Sequence, residues 1–143
     1  MAKLIREVMT RDVEVIRPND TLRDAARKMR DLDVGPIPVC DGQRVQGMIT
    51  DRDIVVRAIA EDMNPAQTRV ADIMSQGISY CFDDDEAEKV LERMEEEQLR
   101  RFIVVDRDKK LVGIVALADL AGEESGQRVG KALEGISEPA SHA

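Results

Sequence analysis

The chain has 143 residues, of which 43% are hydrophobic and 2% aromatic, and its formal net charge is −8. A chain of this length can bury a core of its own, and with two Phe, one Tyr and no Trp that core has to be aliphatic. Nucleic-acid binding needs a basic face that neutralises phosphates, so we expect no nucleic-acid partner for this acidic chain.

No stretch of the sequence has the roughly 18 apolar residues of a membrane span, and the N-terminus lacks the apolar core of a signal peptide. We therefore expect a cytoplasmic protein without a membrane partner. Cys40 and Cys81 lie in apolar runs, where thiols are usually buried, so we expect no structural disulfide and leave a redox role open. His142 is the only histidine, so no zinc-ligand set with metal-site spacing can be assembled, and we expect no metal site.

The first elements in chain order recur 65 residues later. The triplet Val8 to Thr10 returns as Ile73 to Ser75. After each triplet, apolar residues recur with the spacing of one helix face, which predicts two equivalent amphipathic helices. Asp20 and Asp85 precede these helices, and we expect them to be the N-caps. The apolar faces consist of Leu22, Ala25, Ala26 and Met29 in the first helix and Ala87, Val90, Leu91 and Met94 in the second.

Each predicted helix is followed by two short apolar strands and a turn. The strand at residues 37–41 matches 102–106, and the strand at 45–49 matches 111–115. Thr50, with Asp51 and Asp53 in the next turn, is typical of a helix N-terminus, and we expect that helix to run through Ile59. Each copy thus has the order β-α-β-β-α in an α/β fold. We assign residues 1–61 to the first repeat, 62–69 to a linker, 70–121 to the second repeat and 122–143 to a frayed helix and flexible tail.

This tandem pattern resembles the paired CBS domain, named after cystathionine β-synthase. The resemblance rests on the V-M-T triplet, the apolar-Pro-apolar strand, and the G-h-h-T-x-x-D ending of Gly47 to Asp53, and it covers residues 5–121. It implies two repeats packed through their sheets about a pseudo-twofold axis. It also implies clefts for adenosine-containing ligands, a homodimer, and a stand-alone regulatory protein that senses cellular energy and acts on a partner protein that the sequence does not name.

The resemblance also assigns roles to residues. In nucleotide-binding members the Asp of the motif accepts hydrogen bonds from the ribose hydroxyls, and the Thr lies beside the sugar and phosphate. Asp53 and Thr50 fill those positions, and a carboxylate suits vicinal hydroxyls chemically. The implied ligand is AMP, ADP or ATP, and no cofactor is required. The expected ligand-binding residues of this first cleft are Thr50, Asp53, Arg52, Arg100, Arg101, Ile78, Ser79, Tyr80 and Ile103.

The second cleft is expected to bind more weakly. In the second copy Asp119 is retained, but Ala116 replaces the Thr. Twofold packing would place Asp53 opposite Arg100 and Arg101, which suit phosphate, whereas Asp119 would face a segment without cations. That segment contributes Gly35, Pro36 and Ile37 to the second cleft.

Other readings of the same residues remain open. Thr50 and Asp53 suit an ordinary helix cap, and Arg100 with Arg101 could pair with the acidic helix that ends at Glu97. The stretch 83–97 holds nine acidic and two basic residues, so a second function is a ligand-independent interaction module with an acidic docking face. We expect no enzyme, because the chain shows no catalytic triad and no phosphate-binding glycine loop.

Overall fold

The computed structural model describes residues 3–120, which form a mixed α/β structure with two sheets. This confirms the predicted fold class. The chain divides into two compact units: the first unit comprises residues 14–78, and the second unit combines residues 3–13 with 79–120. The predicted frayed helix and tail, residues 122–143, lie outside the described residues. No helix within residues 3–120 is long and apolar enough to span a membrane.

The first unit contains a two-stranded antiparallel sheet covered by helices. A single bridge at Ile16 takes the place of the first short strand and pairs in parallel with Val39. The ordered elements are helix α2 (Leu22–Leu32), strands β1 (Ile37–Asp41) and β2 (Arg44–Ile49), and helix α3 (Asp51–Asp53). Helix α3 continues as a π-helical turn, Ile54–Ala58, and a 3₁₀ turn, Ile59–Glu61, so the helical segment runs through Ile59 as expected and ends two residues later.

The second unit repeats this order with a three-stranded sheet. Helix α1 (Ile5–Val8) precedes β3 (Tyr80–Phe82), α4 (Ala87–Glu97), β4 (Arg101–Val105) and β5 (Leu111–Ala116). Strand β3 pairs in parallel with β4, and β4 pairs antiparallel with β5. A 3₁₀ turn, Leu117–Leu120, follows β5. Each unit closes its own core between sheet and helices, around Leu22, Met29 and Ile49 in the first and Leu91, Met94 and Val115 in the second, and the second core also contains Phe102.

The segment at the start of each sequence repeat, residues 3–13 in the first and 68–78 in the second, packs in the other repeat's unit, and we call these two stretches the lead segments. The backbone N–H of Leu22 donates to the carbonyl of Thr68, and the N–H of Ala87 donates to that of Lys3. The two donors are 65 residues apart in the chain, and so are the two acceptors. These bonds satisfy N–H groups at the starts of α2 and α4. The predicted boundaries follow the sequence repeat and stay predictions, whereas the contacts divide the chain after residues 13 and 78.

Two glycines permit the lead segments to lie against the sheets. A Cβ atom on Gly47 would stand 2.5 Å from the carbonyl oxygen of Ser75, and one on Gly113 would stand 2.6 Å from that of Thr10. Both distances are far inside van der Waals contact. The repeated triplets therefore cross the second hairpin strand where only glycine leaves room.

The expected capping roles of Asp20 and Asp85 are wrong. Helix α2 is capped by Thr21, whose hydroxyl accepts from the N–H of Asp24, and α4 begins after Glu86 without a side-chain cap bond. Asp20 instead accepts from the N–H of Arg17 at 3.0 Å, and Asp85 from that of Phe82 at 2.9 Å. Both carboxylates close the turn before the helix, because their side chains reach backward along the chain.

Candidate functional site

The strand β2 to helix α3 junction forms a reciprocal capping box. The hydroxyl oxygen of Thr50 accepts from the N–H of Asp53 at 3.1 Å, and Oδ2 of Asp53 accepts from the N–H of Thr50 at 3.0 Å. Both residues are half-buried. Among residues 3–120 the other carboxylate oxygen, Oδ1 of Asp53, has no hydrogen-bond or ion-pair partner. The cap therefore uses half of the acceptor capacity of this carboxylate.

The corresponding junction of the second unit keeps half of the box. Oδ2 of Asp119 accepts from the N–H of Ala116 at 2.7 Å, which matches the bond between Asp53 and Thr50. Because Ala116 has no hydroxyl, the return bond to the N–H of Asp119 is absent. The bond from the Asp carboxylate to the backbone N–H three residues earlier is thus common to both units, and the bond to the Thr hydroxyl occurs at this junction of the first unit alone.

The loop before strand β1 lies against the capping box of its own unit. The N–H of Asp51 donates to the carbonyl of Gly35 at 3.2 Å, and a Cβ on Gly35 would meet Oδ1 of Asp51 at 3.1 Å. Pro36 is half-buried, and Ile37 is 1% exposed in the core, so its side chain is not accessible. Arg52 is exposed.

The two arginines expected to bind phosphate lie beside the Asp119 junction. The carbonyl of Arg100 accepts from the N–H of Leu117 at 2.8 Å, and Arg101 pairs with Ala116 in the sheet. Both side chains are exposed, and neither has a polar partner within residues 3–120. The alternative that they pair with the end of the acidic helix is wrong, because Glu97 pairs with Arg93 at 3.2 Å.

The residues expected along the adenine differ in accessibility. Ile78 is half-buried, Tyr80 is 38% exposed, and Ile103 is 1% exposed. The hydroxyl of Ser79 donates to Glu97. Alternation along β4 places Ile103 on the sheet face opposite the core residues Phe102 and Val104.

The structure therefore brings together Thr50, Asp53 and Gly35 in the first unit, and Arg100, Arg101 and Asp119 in the second. The expected first cleft instead combines residues from both units, and that grouping stays a prediction. Sequence reasoning gave no role to Arg57, whose guanidinium donates to the carbonyl of Ile73 at 2.7 Å from within the π-helical turn. Its partner is a carbonyl 16 residues away, which no sequence pattern marks.

The two thiols are not suited to redox chemistry. Cys40 and Cys81 are free and buried. Burial raises the pKa of Cys40 to about 11 and, with the nearby Asp85 carboxylate, that of Cys81 to about 12. The thiolate is the reactive form, so both cysteines should be inert in the folded protein. Residues 3–120 contain no group of three or more His, Cys, Asp or Glu side chains that could hold a metal ion.

Comparison with known proteins identifies the family. The model of the CBS domain matches residues 5–59 and again residues 70–126. The chain belongs to the CBS domain family and carries a tandem pair, a class of modules that is regulatory in general.

Relatives and solved structures agree with this assignment. The chain is 41% identical over 137 residues to the uncharacterized protein YlbB of Bacillus subtilis, covering 94% of this chain and 91% of the relative. It is 37% identical over 117 residues to hypoxic response protein 1 of Mycobacterium tuberculosis, covering 81% of each chain.

A crystal structure of Hypoxic Response Protein I with two coordinated zinc ions superimposes with a TM-score of 0.76 at 35% identity, covering 86% of this chain and all of that chain. The CBS domain pair of protein MJ0100, solved with 5′-methylthioadenosine and S-adenosyl-L-methionine, gives a TM-score of 0.73 at 21% identity, covering 89% and 99%. At that identity the second structure supports the fold alone.

Proposed function

We propose that the chain is a regulatory module that binds an adenosine-containing ligand, AMP, ADP or ATP, through Thr50 and Asp53. The observation that carries the proposal is the half-used carboxylate of Asp53. Oδ2 is held by the N–H of Thr50, which fixes the carboxylate, while Oδ1 has no partner within residues 3–120. An oriented carboxylate with acceptor capacity left over suits a pair of vicinal ribose hydroxyls.

Arg100 and Arg101 supply the phosphate contacts in this proposal. Their guanidinium groups are exposed and have no ion-pair partner among residues 3–120. A guanidinium presents a planar fork of donors that matches phosphate oxygens. Replacing both arginines with alanine should therefore weaken ATP binding more than adenosine binding.

Calorimetric titration with AMP, ADP and ATP tests the proposal, and S-adenosylmethionine and 5′-methylthioadenosine complete the ligand panel. Asp53→Asn and Asp119→Asn form a matched pair, because asparagine keeps an oxygen that can accept from the residue three positions before it. We expect Asp53→Asn to weaken binding by about tenfold or more. Its amide oxygen would accept from the N–H of Thr50, and the NH₂ group that replaces Oδ1 can only donate, so it cannot accept from the ribose hydroxyls. Asp119→Asn should change binding little.

Circular dichroism and thermal melting of each variant serve as folding controls. Absence of binding at millimolar concentrations of every ligand, with the protein folded, would overturn the proposal. Equal losses for both variants would overturn the inequality between the two junctions. Different affinities for AMP and ATP would make the module suited to sensing cellular energy.

We also propose that the chain forms a homodimer. The segment 55–63, which follows Asp53, exposes four apolar side chains: Val55 at 58%, Val56 and Ile59 at 48% each, and Met63, just beyond the helical turns, at 41%. Exposed apolar side chains clustered on one short segment favour a partner that covers them. Sedimentation velocity should show a dimer that Val56→Glu weakens and that Gln46→Glu, an exposed change on strand β2, leaves intact.

Ligand binding can regulate a partner protein only if the ligand has different affinities for two arrangements of the module. The competing function, a ligand-independent module that docks a basic partner on the acidic stretch 83–97, predicts a different dependence on salt. Electrostatic docking weakens steeply with ionic strength, whereas binding through ribose and base contacts weakens less.

A further inference from the structure

Arg57 ties the helical segment that follows Thr50 to the second lead segment. Its Nη1 group donates to the carbonyl of Ile73 at 2.7 Å and to that of Met74 at 3.3 Å. Within residues 3–120 no other donor reaches either carbonyl. Arg57 is an exposed residue, and fixing a long side chain in one geometry costs rotamer entropy. A guanidinium held at two distant carbonyls therefore calls for a specific explanation.

The same lead segment is also bonded to strand β2. The N–H of Ser75 donates to the carbonyl of Met48 at 2.9 Å, and the N–H of Met48 donates to that of Ser75 at 2.9 Å. Strand β2 ends at Ile49, and the next residue, Thr50, caps the helical segment. The contacts thus form a closed ring that runs from β2 through the capping box, the helical segment, Arg57 and the lead segment back to β2. All of its members belong to the first unit.

Asp53 lies within this ring and is held at two points. The capping box joins it to Thr50 at the start of the helical segment. Four residues further on, Arg57 joins the same segment to backbone that is itself bonded to β2. Ile54 and Ala58 pack in the core and hold the buried side of the segment, whereas Arg57 holds it from an exposed position. The second contact restricts tilting of the segment about its cap.

The spacing of Asp53 and Arg57 bears on the carboxylate oxygen that stays free. Residues four apart on a helix lie on one face, and opposite charges at this spacing commonly form an ion pair. Within residues 3–120 these two residues form none, and the guanidinium donates to the lead segment instead. An ion pair would occupy Oδ1 of Asp53. The two carbonyls therefore keep this oxygen available as an acceptor.

The backbone that joins the two residues is a π-helical turn. The turn spans Ile54–Ala58, so it starts directly after Asp53 and includes Arg57. The N–H of Ile59 is shared between the carbonyls of the residues four and five positions before it. Single π-helical turns are rare and occur frequently at functional sites. In this chain the turn is the element that carries the guanidinium to the lead segment.

We propose that Arg57 is a positioning residue of the proposed ligand site and that it acts through Asp53. It holds the helical segment in the orientation set by the cap, and its bonds to two carbonyls leave Oδ1 open to the ribose hydroxyls. A site ordered before binding loses less conformational freedom on binding, which increases affinity. Arg57 itself makes no contact with the ligand. The inference rests on the proposed function and adds a residue that no sequence motif marks.

Calorimetric titration with ATP compares Arg57→Met, Arg57→Lys and Asp20→Ala with the wild type. Methionine keeps most of the aliphatic stem and removes every donor, and we expect it to weaken binding by about fivefold. Lysine can still donate to both carbonyls, so its affinity should stay within about twofold of the wild type. Asp20→Ala removes the acceptor of another backbone N–H in the first unit. It should lower stability without changing affinity.

A double-mutant cycle with Asp53→Asn tests whether Arg57 acts through Asp53. In the Asp53→Asn background, Arg57→Met should change the affinity for ATP by less than about twofold, because the carboxylate that it positions is absent. ATP is the ligand of choice, since the phosphate contacts of the proposed site do not involve Asp53 and keep weak binding measurable.

Circular dichroism and urea denaturation check that every variant is folded. If Arg57→Met binds ATP like the wild type, the inference is wrong and the proposed function stands. The inference is also wrong if the losses at Arg57 and Asp53 are independent, if Arg57→Lys is as weak as Arg57→Met, or if Asp20→Ala weakens binding equally. A wild type that binds no adenosine-containing ligand would overturn the proposed function and the inference with it.

Discussion

The first and second units share several internal contacts, and many of their differences lie at exposed positions. Asp20 and Asp85 close equivalent turns, and Gly47 and Gly113 admit equivalent lead segments. Each antiparallel hairpin also has an irregularity in its register at the same place, after Val39 in the first unit and after Val104 in the second. Each of these features involves backbone groups, which tolerate few alternatives.

The differences lie where side chains face outward or where a ligand could reach. The capping box is complete at Thr50 and half-formed at Ala116. Gly35 and Pro36 in the first unit are replaced by Arg100 and Arg101 in the second, and the formal charges of α2 and α4 have opposite signs. A duplicated fold can thus keep its framework while its two surfaces acquire different chemistry.

The strongest test of the shared framework is to fill the two glycine contacts. Gly47→Ala and Gly113→Ala should each destabilise the protein by about 3 kcal/mol, since the new Cβ would meet a carbonyl oxygen. Urea denaturation measures the change. Gly77→Ala is the matched control, because no atom lies within 4 Å of its Cβ position, and its stability should stay near the wild type. A small effect at either contact site would mean that the lead segment can move away.

The two buried thiols give the next largest effect, and it depends on pH. The pKa values of Cys40 and Cys81, about 11 and about 12, exceed the ~8.5 of an unfolded thiol. Above pH ~8.5 the unfolded state loses thiol protons that the folded state keeps, so stability falls as pH rises. For each thiol, the free energy of unfolding should fall by about 2 kcal/mol as the pH rises from ~8.5 to ~10.

Cys40→Ala and Cys81→Ala separate the two contributions, since each replacement should flatten the fall in stability with pH. Thiol titration gives an independent measurement, because neither cysteine should react at neutral pH until the protein unfolds. Rapid modification of either thiol in the folded protein would contradict the burial of that side chain.

The turn carboxylates should contribute somewhat less. Asp20→Ala and Asp85→Ala each remove the acceptor for a backbone N–H, and we expect a loss of about 1.5 kcal/mol in each unit. Asp31→Ala removes an exposed ion pair with Arg30 and should cost less than about 0.5 kcal/mol. A large difference between the losses at Asp20 and Asp85 would show that the two turns are not energetically equivalent.

The incomplete capping box gives the smallest effect and tests the difference between the units directly. Thr50→Ala should reduce stability by about 1 kcal/mol, because the N–H of Asp53 loses its acceptor. Ala116→Ser offers the second unit the missing hydroxyl and should increase stability by a few tenths of a kcal/mol. Thermal melting checks both, and no gain from Ala116→Ser would indicate that the hydroxyl cannot reach the N–H of Asp119.

The sequence predicted the duplication, the order of elements and the capping role of Thr50 because each depends on local periodicity or on neighbouring residues. The caps at Asp20 and Asp85 were predicted incorrectly for an equally local reason. A carboxylate before a helix can accept from the helix or from the turn behind it, and the residue pattern does not distinguish these choices. Thr21 offered a better cap for α2 one residue later.

The sequence by itself determined which residues are equivalent, since an offset of 65 residues places Lys28 with Arg93 and an offset of 66, after the longer turn of the second copy, places Asp53 with Asp119. Only the tertiary structure decided which residues from distant parts of the chain lie in contact. The lead segments pack in the opposite units, and Arg57 reaches Ile73 across 16 residues. Such contacts depend on how the fold brings together backbone segments that are far apart in the chain. The residue pattern along the chain gives no information about the spatial distance between such segments.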